Sequence, residues 1–227
     1  MDINNFVVTP KQMKFLENAS HCAGVSLSEL MDNAGKCLFD VVYSILKQNS
    51  SITNIYILAG NGNYSGDGFV CAKLLKENNY NAKIILLAGE PKTELSKNAF
   101  NKLEGIEIIS DFENLVFNNS IVIDCVFGTG FHGELPENLK DLFTRINNED
   151  CLKVACDIPS GGCALNGYCC EGVIKCAYTV TFGAKKTGML ISPLREMCGE
   201  IIVADIGIPK SEYDKIDNPV INLDTEY

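Results

Sequence analysis

Two aspartates stand at the ends of apolar runs, Asp124 in SIVIDCVFGTG and Asp157 in LKVACDIPSG. A carboxyl there is costly to bury unless it caps backbone amides or meets a cation or polar ligand. Placed beside a ligand, it can act as a general acid and base. Each aspartate opens a glycine-rich loop: DCVFGTGFHGE over residues 124–134, and CDIPSGGCALNG over 156–167. A third loop, AGNGNYSGDG over 59–68, follows another apolar run, and its four glycines allow positive φ angles and close backbone approach to a phosphate. A helix is expected to begin near Asp67, which is either a ligand-facing carboxyl or only an N-cap. Pro159 and Gly161 predict a sharp turn that lets Asp157 and the Ser160 hydroxyl face one site. Two aspartates at strand ends, with glycine-rich loops and no redox motif, suit acid–base chemistry on a phosphorylated small molecule.

Other chemistries fit less well. Ser160 lies in no G-x-S-x-G elbow and has no convincing histidine partner, which argues against a Ser-His-Asp hydrolase. GNGNYSG imitates the start of a dinucleotide fingerprint, but Ser65 takes the place of the third glycine and Glu90 lies too far along. His132 sits in a surface-like turn with nothing nearby in sequence to orient its ring. The eleven cysteines contain no C-x-x-C pair from Cys151 through Cys176, and His21 and His132 are the only histidines, so a zinc site has little support. Cys125 and Cys156 read as buried apolar thiols, whereas Cys169 and Cys170, in a polar stretch, read as open to oxidation.

The elements that must hold these loops alternate. Helices are expected from about Pro10 to Ala19 and over residues 26–48, with Ser26 or Ser28 as the second cap. Strand-like runs NIYILAG, AKIILLAG and IEII are separated by the amphipathic segments DGFVCAKLLKENN and ELSKNAFNKL. The second half adds a helix from about Pro136 to Ile146 and the closing strands AYTVTFGA and EIIVADIG. Alternation of this kind implies parallel strands joined by right-handed crossovers, and continuously apolar strands imply a sheet covered on both faces. The expected fold is therefore a Rossmann-like three-layer α/β/α architecture with a mostly parallel sheet and two N-terminal helices. The last residues, 215–227, read as a surface tail. At 227 residues and 46% hydrophobic, one domain is expected. A net charge of −10 argues against a nucleic-acid surface. No apolar run approaches the roughly 18–20 residues of a membrane span and the start lacks a secretory pattern, so the expected location is the cytoplasm.

Taken together, the motifs resemble the NAD(P)H-hydrate epimerase family, also called the YjeF N-terminal domain family. LMDNAG at residues 30–35 resembles its LMENAG, AGNGNYSGDG its G-x-G-N-N-G-G-D-G loop, and DCVFGTGFHGE its D-x-x-F-G-T-G-x-x-G loop. DIPSG matches outright, while TFGAKKTGML and VADIGIP resemble its closing motifs. The resemblance covers nearly the whole chain and implies a single domain of this type over residues 1–227. It also implies interconversion of the R and S epimers of NADHX and NADPHX at nicotinamide C6, a homodimer, a separate NAD(P)HX dehydratase as functional partner, and one potassium ion (K+) per subunit. By the same resemblance Asp157 is the catalytic, substrate-touching acid–base. Asn63, Tyr64, Ser65, Gly66 and Asp67, with Gly128, Thr129, Gly130, Phe131, His132, Gly133 and Glu134, hold the nucleotide. Asp124 and Ser160 ligate the potassium, and Lys186 either neutralises a phosphate or is a solvated surface lysine.

One departure stands out. A cation-ligating asparagine of the family is Tyr64 here, and the next glycine is Ser65. A phenol is a poor stand-in for an amide oxygen, and a Cβ at position 65 restricts the backbone. The alternative reading is a non-catalytic nucleotide-binding or dimerisation module of the same fold.

Overall fold

The computed structural model describes residues 6–216 and 220–221. Strand β1 (Phe6–Val8) leads into α1 (Pro10–Cys22), which starts where the sequence allows little else: Thr9 and Gln12 form a reciprocal capping box and Pro10 occupies the first turn. Ser26 caps α2 (Leu27–Gln48), and Leu30, Ala34, Leu38, Val42 and Ile45 make its buried stripe.

Alternation follows as expected, through β2 (Asn54–Ala59), α3 (Asn63–Glu77), β3 (Ala82–Leu86), α4 (Glu94–Phe100), β4 (Glu107–Ile109), β5 (Ser120–Cys125), α5 (Glu137–Asn148) and β6 (Cys151–Cys156). The chain closes with β7 (Tyr178–Phe182), β8 (Lys185–Lys186), α6 (Leu194–Met197), β9 (Glu200–Ala204), α7 (Lys210–Tyr213) and β10 (Val220–Ile221).

Seven strands form one sheet in the order β4-β3-β2-β5-β6-β7-β9, with every neighbouring pair parallel. From β2 the chain builds outward to β4 on one side, then crosses over to β5 and builds outward on the other. The reversal between β2 and β5 is a topological switch point, where the loops beyond the strand ends open a crevice.

Both faces of the sheet are covered, and the strands divide their side chains between them with period two. Ile55, Ile57 and Ala59 of β2, with Ile121, Ile123 and Cys125 of β5, pack into a core that also takes α1, α2 and α3. Tyr56, Leu58 and Val122 point the other way, to Leu139 and Phe143 of α5. The architecture is three-layered, as the apolar strands required.

Two expectations need correction. The first is the C-terminal tail: Ile216 is buried, and β10 pairs antiparallel with β1 in a small sheet completed by β8, so part of the tail is structural. Residues 217–219 and 222–227 lie outside the described residues. The second is the start of α3, which begins at Asn63 and not near Asp67, so Asp67 is not its N-cap.

Candidate active site

Asp157 follows the last residue of β6 and holds a φ of +70°. Aspartate tolerates this left-handed conformation better than most residues, and its N–H is fixed by the Val180 carbonyl of β7 at 2.8 Å. The hydrogen bonds to its carboxylate converge on Oδ1, from Thr181 Oγ1 at 2.9 Å and the Phe182 N–H at 3.3 Å, together with the Lys186 ammonium. Lys186 is 0% exposed and also donates to Thr181 Oγ1 and the Phe182 carbonyl, each at 2.9 Å. Its three protons are thus all placed, which a buried ammonium requires. Asp157 Oδ2 has no hydrogen-bond partner among the described residues, and Asp157 lines a cavity.

That cavity has a volume of about 260 Å³. Its floor is Asp157, Lys186 and Phe182 at the strand ends, and its walls come from α1, α2 and the start of α3, including Glu17, Leu30, Met31, Asn63, Tyr64 and Asp67. Asp67 is 6% exposed, and its one close polar neighbour among the described residues is the Cys156 thiol at 3.7 Å. Burial, then the charge of Asp157, pushes its carboxyl well above the usual range, which biases it toward its acid form. Glu17 is pushed up for the same two reasons in the same order. One cavity therefore holds an ion-paired carboxylate beside carboxyls biased toward their acid form, a division that commonly separates a base from an acid.

The first glycine-rich segment works differently from expectation. None of Gly60, Gly62, Gly66 and Gly68 adopts a positive φ. Three of them serve close packing: a Cβ on Gly60 would lie 2.4 Å from the Val126 carbonyl oxygen, one on Gly66 2.4 Å from Met31 Sδ and one on Gly68 2.8 Å from Cys125 Sγ, whereas one on Gly62 would meet nothing within 4 Å. Ser65 is buried and donates to the Gly60 and Gly62 carbonyls at 3.0 and 2.7 Å, so its hydroxyl closes the turn before α3 and does not face the cavity.

Asp157 and Ser160 do not share one site either. Asp124 continues the β5 alternation on the α5 side of the sheet, and Ser160 turns toward it. Asp124 Oδ1 accepts from Ser160 Oγ at 2.6 Å and Oδ2 from the Ser160 N–H at 2.7 Å, while Ser160 Oγ accepts from the Phe127 N–H at 2.9 Å. This is the capping role. Burial lifts Asp124 to about 6, opposed by those hydrogen bonds. Neither residue lines the cavity.

Residues 128–134 also stand apart from the cavity walls. Gly128 packs under the Tyr64 ring, and the Thr129 N–H donates to the Tyr64 hydroxyl at 3.0 Å. A Cβ on Gly130 would meet nothing within 4 Å, Phe131 stacks on Phe127, His132 and Gly133 are exposed, and Glu134 accepts from the Tyr168 hydroxyl at 2.8 Å. Lys186, expected on the surface or on a phosphate, is a buried partner of Asp157. Cys170, expected at the surface, is buried.

The oxygens assigned to potassium do not fit a cation in this arrangement. Asp124 and Ser160 are committed to each other and to backbone amides, and the Tyr64 hydroxyl is committed to Thr129. Among the described residues no three His, Cys, Asp or Glu side chains cluster as metal ligands.

The sequence reading named Lys186 but not as the partner of Asp157, and it missed Thr181 and Glu17. Lys186 lay in a quoted motif, but no spacing rule tells a buried lysine from a solvated one. Glu17 belongs to the i, i+3, i+4 polar set Lys14, Glu17, Asn18, opposite the buried Met13 and Leu16, which reads as an ordinary solvated helix face.

A parallel sheet with a switch point defines a Rossmann-like α/β protein, and the adjoining crevice carries a charge-paired carboxyl, the kind of place where such folds hold small ligands. More narrowly, the chain belongs to the family described as YjeF-related protein N-terminus, whose model matches residues 27–188. It is 33% identical over 220 residues to an NAD(P)H-hydrate epimerase of Elusimicrobium minutum, covering 92% of this chain and 99% of that protein. It is 34% identical over 210 residues to one of Nitrosopumilus maritimus, covering 89% and 95%. A bifunctional NAD(P)H-hydrate repair enzyme of Archaeoglobus fulgidus is 37% identical over 90% of this chain, which spans 42% of that longer protein. A yeast protein of known crystal structure superposes with a TM-score of 0.77 at 23% identity over 96% of both chains, a likeness of fold.

Proposed function

We propose that this chain is an NAD(P)H-hydrate epimerase, an isomerase that interconverts the R and S forms of NADHX and NADPHX. The observation that carries the reading is the Asp157–Lys186–Thr181 network beneath a cavity that also holds the acid-biased Asp67. The alignments with named epimerases over nearly their whole lengths support it.

The chemistry follows from the substrate. Carbon 6 of the hydrated ring carries a hydroxyl beside N1, so protonating that hydroxyl lets it leave as water while the nitrogen lone pair supports the resulting cation. Asp67, biased toward its acid form by burial and lining the same cavity as Asp157, supplies the proton. Asp157, ion-paired with Lys186 through Oδ1, faces the developing positive charge with its free Oδ2. Water then adds to either face of the planar cation and returns a proton to the carboxyl pair. A cavity of about 260 Å³ suits the damaged ring and leaves most of the dinucleotide outside, toward Asn63 and the 128–134 loop.

In this reading the partner is a separate NAD(P)HX dehydratase, the chain acts as a homodimer in the cytoplasm, and potassium is not needed for the chemistry. Among the described residues no helix is long and apolar enough to cross a membrane.

A coupled assay tests the proposal. The R epimer of NADHX is supplied with an S-specific dehydratase and ATP, with wild-type protein, with Asp157→Asn, or with neither. Faster NADH recovery with the wild type and none with the variant is expected. No acceleration by the wild type would leave the non-catalytic binding module as the better description.

A further inference from the structure

We propose that the Tyr64 phenol does the mechanical work of a bound monovalent cation, tying the start of α3 to the loop after β5, so that this protein's site assembles without potassium. The inference deepens the epimerase reading by addressing how its site is held together.

Tyr64 is the second residue of α3, and its ring crosses to the 124–134 loop. The hydroxyl accepts from the Thr129 N–H at 3.0 Å and shares a second hydrogen bond with Thr129 Oγ1 at 2.8 Å. The ring lies so close over Gly128 that a Cβ there would fall 2.0 Å from Tyr64 Cζ. An ion bridging these two segments would need open space between them and oxygens free to turn inward. The aromatic ring fills the space over Gly128. Asp124 and Ser160, which would complete the shell, are closed on each other and on the amides of Phe127 and Ser160. A phenol also satisfies the loop electrically, because it offers a donor and an acceptor to Thr129 without adding a charge beside Asp67 and Asp157.

Melting curves in the absence of substrate test this, with KCl exchanged for N-methylglucamine chloride at constant ionic strength. The wild type should melt at the same temperature in both salts. Tyr64→Asn, which opens the space and offers an amide oxygen, should melt lower and recover saturably with KCl, as a ligand binding only the folded state requires. A saturable KCl response in the wild type, or none in Tyr64→Asn, would overturn the proposal. Should Tyr64→Asn not fold, Tyr64→Phe carries the test: it keeps the ring and loses both hydrogen bonds, so it should melt below wild type in either salt, and an unchanged melting temperature would contradict the account. Because no turnover is measured, these outcomes stand apart from success or failure of the coupled assay.

Discussion

The ammonium of Lys186 and Oδ1 of Asp157 form an ion pair that is almost wholly withdrawn from solvent, with side-chain exposures of 1% and 3%. Their backbones are far apart in sequence, and the left-handed turn at Asp157 brings them together across the end of β7. A buried charge pair costs much to desolvate, and breaking it by removing one partner typically costs about 3–5 kcal/mol. Lys186→Met should therefore destabilise the protein by about that amount and abolish activity. The double variant Asp157→Asn with Lys186→Met should recover most of the stability and none of the activity. Denaturant midpoints with the coupled assay separate the two effects.

Asp67 gives a pH prediction whose sign is fixed by burial. Its folded carboxyl titrates well above the ordinary value near 4, so its stabilising contribution is fully present below about pH 4 and is lost as pH rises through the folded value. Asp124 behaves the same way, with its loss complete by passage through about 6. Asp67→Asn should gain stability relative to wild type as pH is raised from about 4 to 8, since an amide has no charge to bury. The same variant should lose the proton donor and with it the turnover. A stability difference that does not change with pH would show that Asp67 is not held in its acid form.

The loop contact gives a compensation experiment. Gly128→Ala forces a Cβ into the Tyr64 ring and should destabilise the protein by about 1–3 kcal/mol, the usual range for overpacking. In a Tyr64→Asn background the same substitution should cost much less, because its clashing partner is gone. A double-mutant cycle on melting temperature reads the difference, and additive effects would mean that the two segments are not packed together.

Much of the fold was legible because it rests on local rules. The helix that starts at Pro10, the Ser26 cap and the continuously apolar runs of β2 and β5, which a sheet covered on both faces requires, are written in adjacent residues. The site was legible only in part. Asp157 at a strand end was found from the sequence, but its partner was not, since a lysine's burial depends on what the fold places around it. The glycines of the 59–68 segment were read as allowing positive φ, which none of the four adopts; spacing shows where backbone can come close, and the structure brings Gly66 close to Met31 and Gly68 to Cys125. Asp124 looked like the twin of Asp157, yet strand alternation turns it to the α5 side, where it caps the Ser160 loop.

The most direct test of the central claim uses one purified epimer of NADHX, with no dehydratase, in water enriched in oxygen-18. If the C6 hydroxyl leaves and water returns at this site, the protein should bring the two epimers to equilibrium, with the label in both, and Asp157→Asn should do neither. A single epimer that persists unlabelled, at the rate seen without protein, would contradict the account.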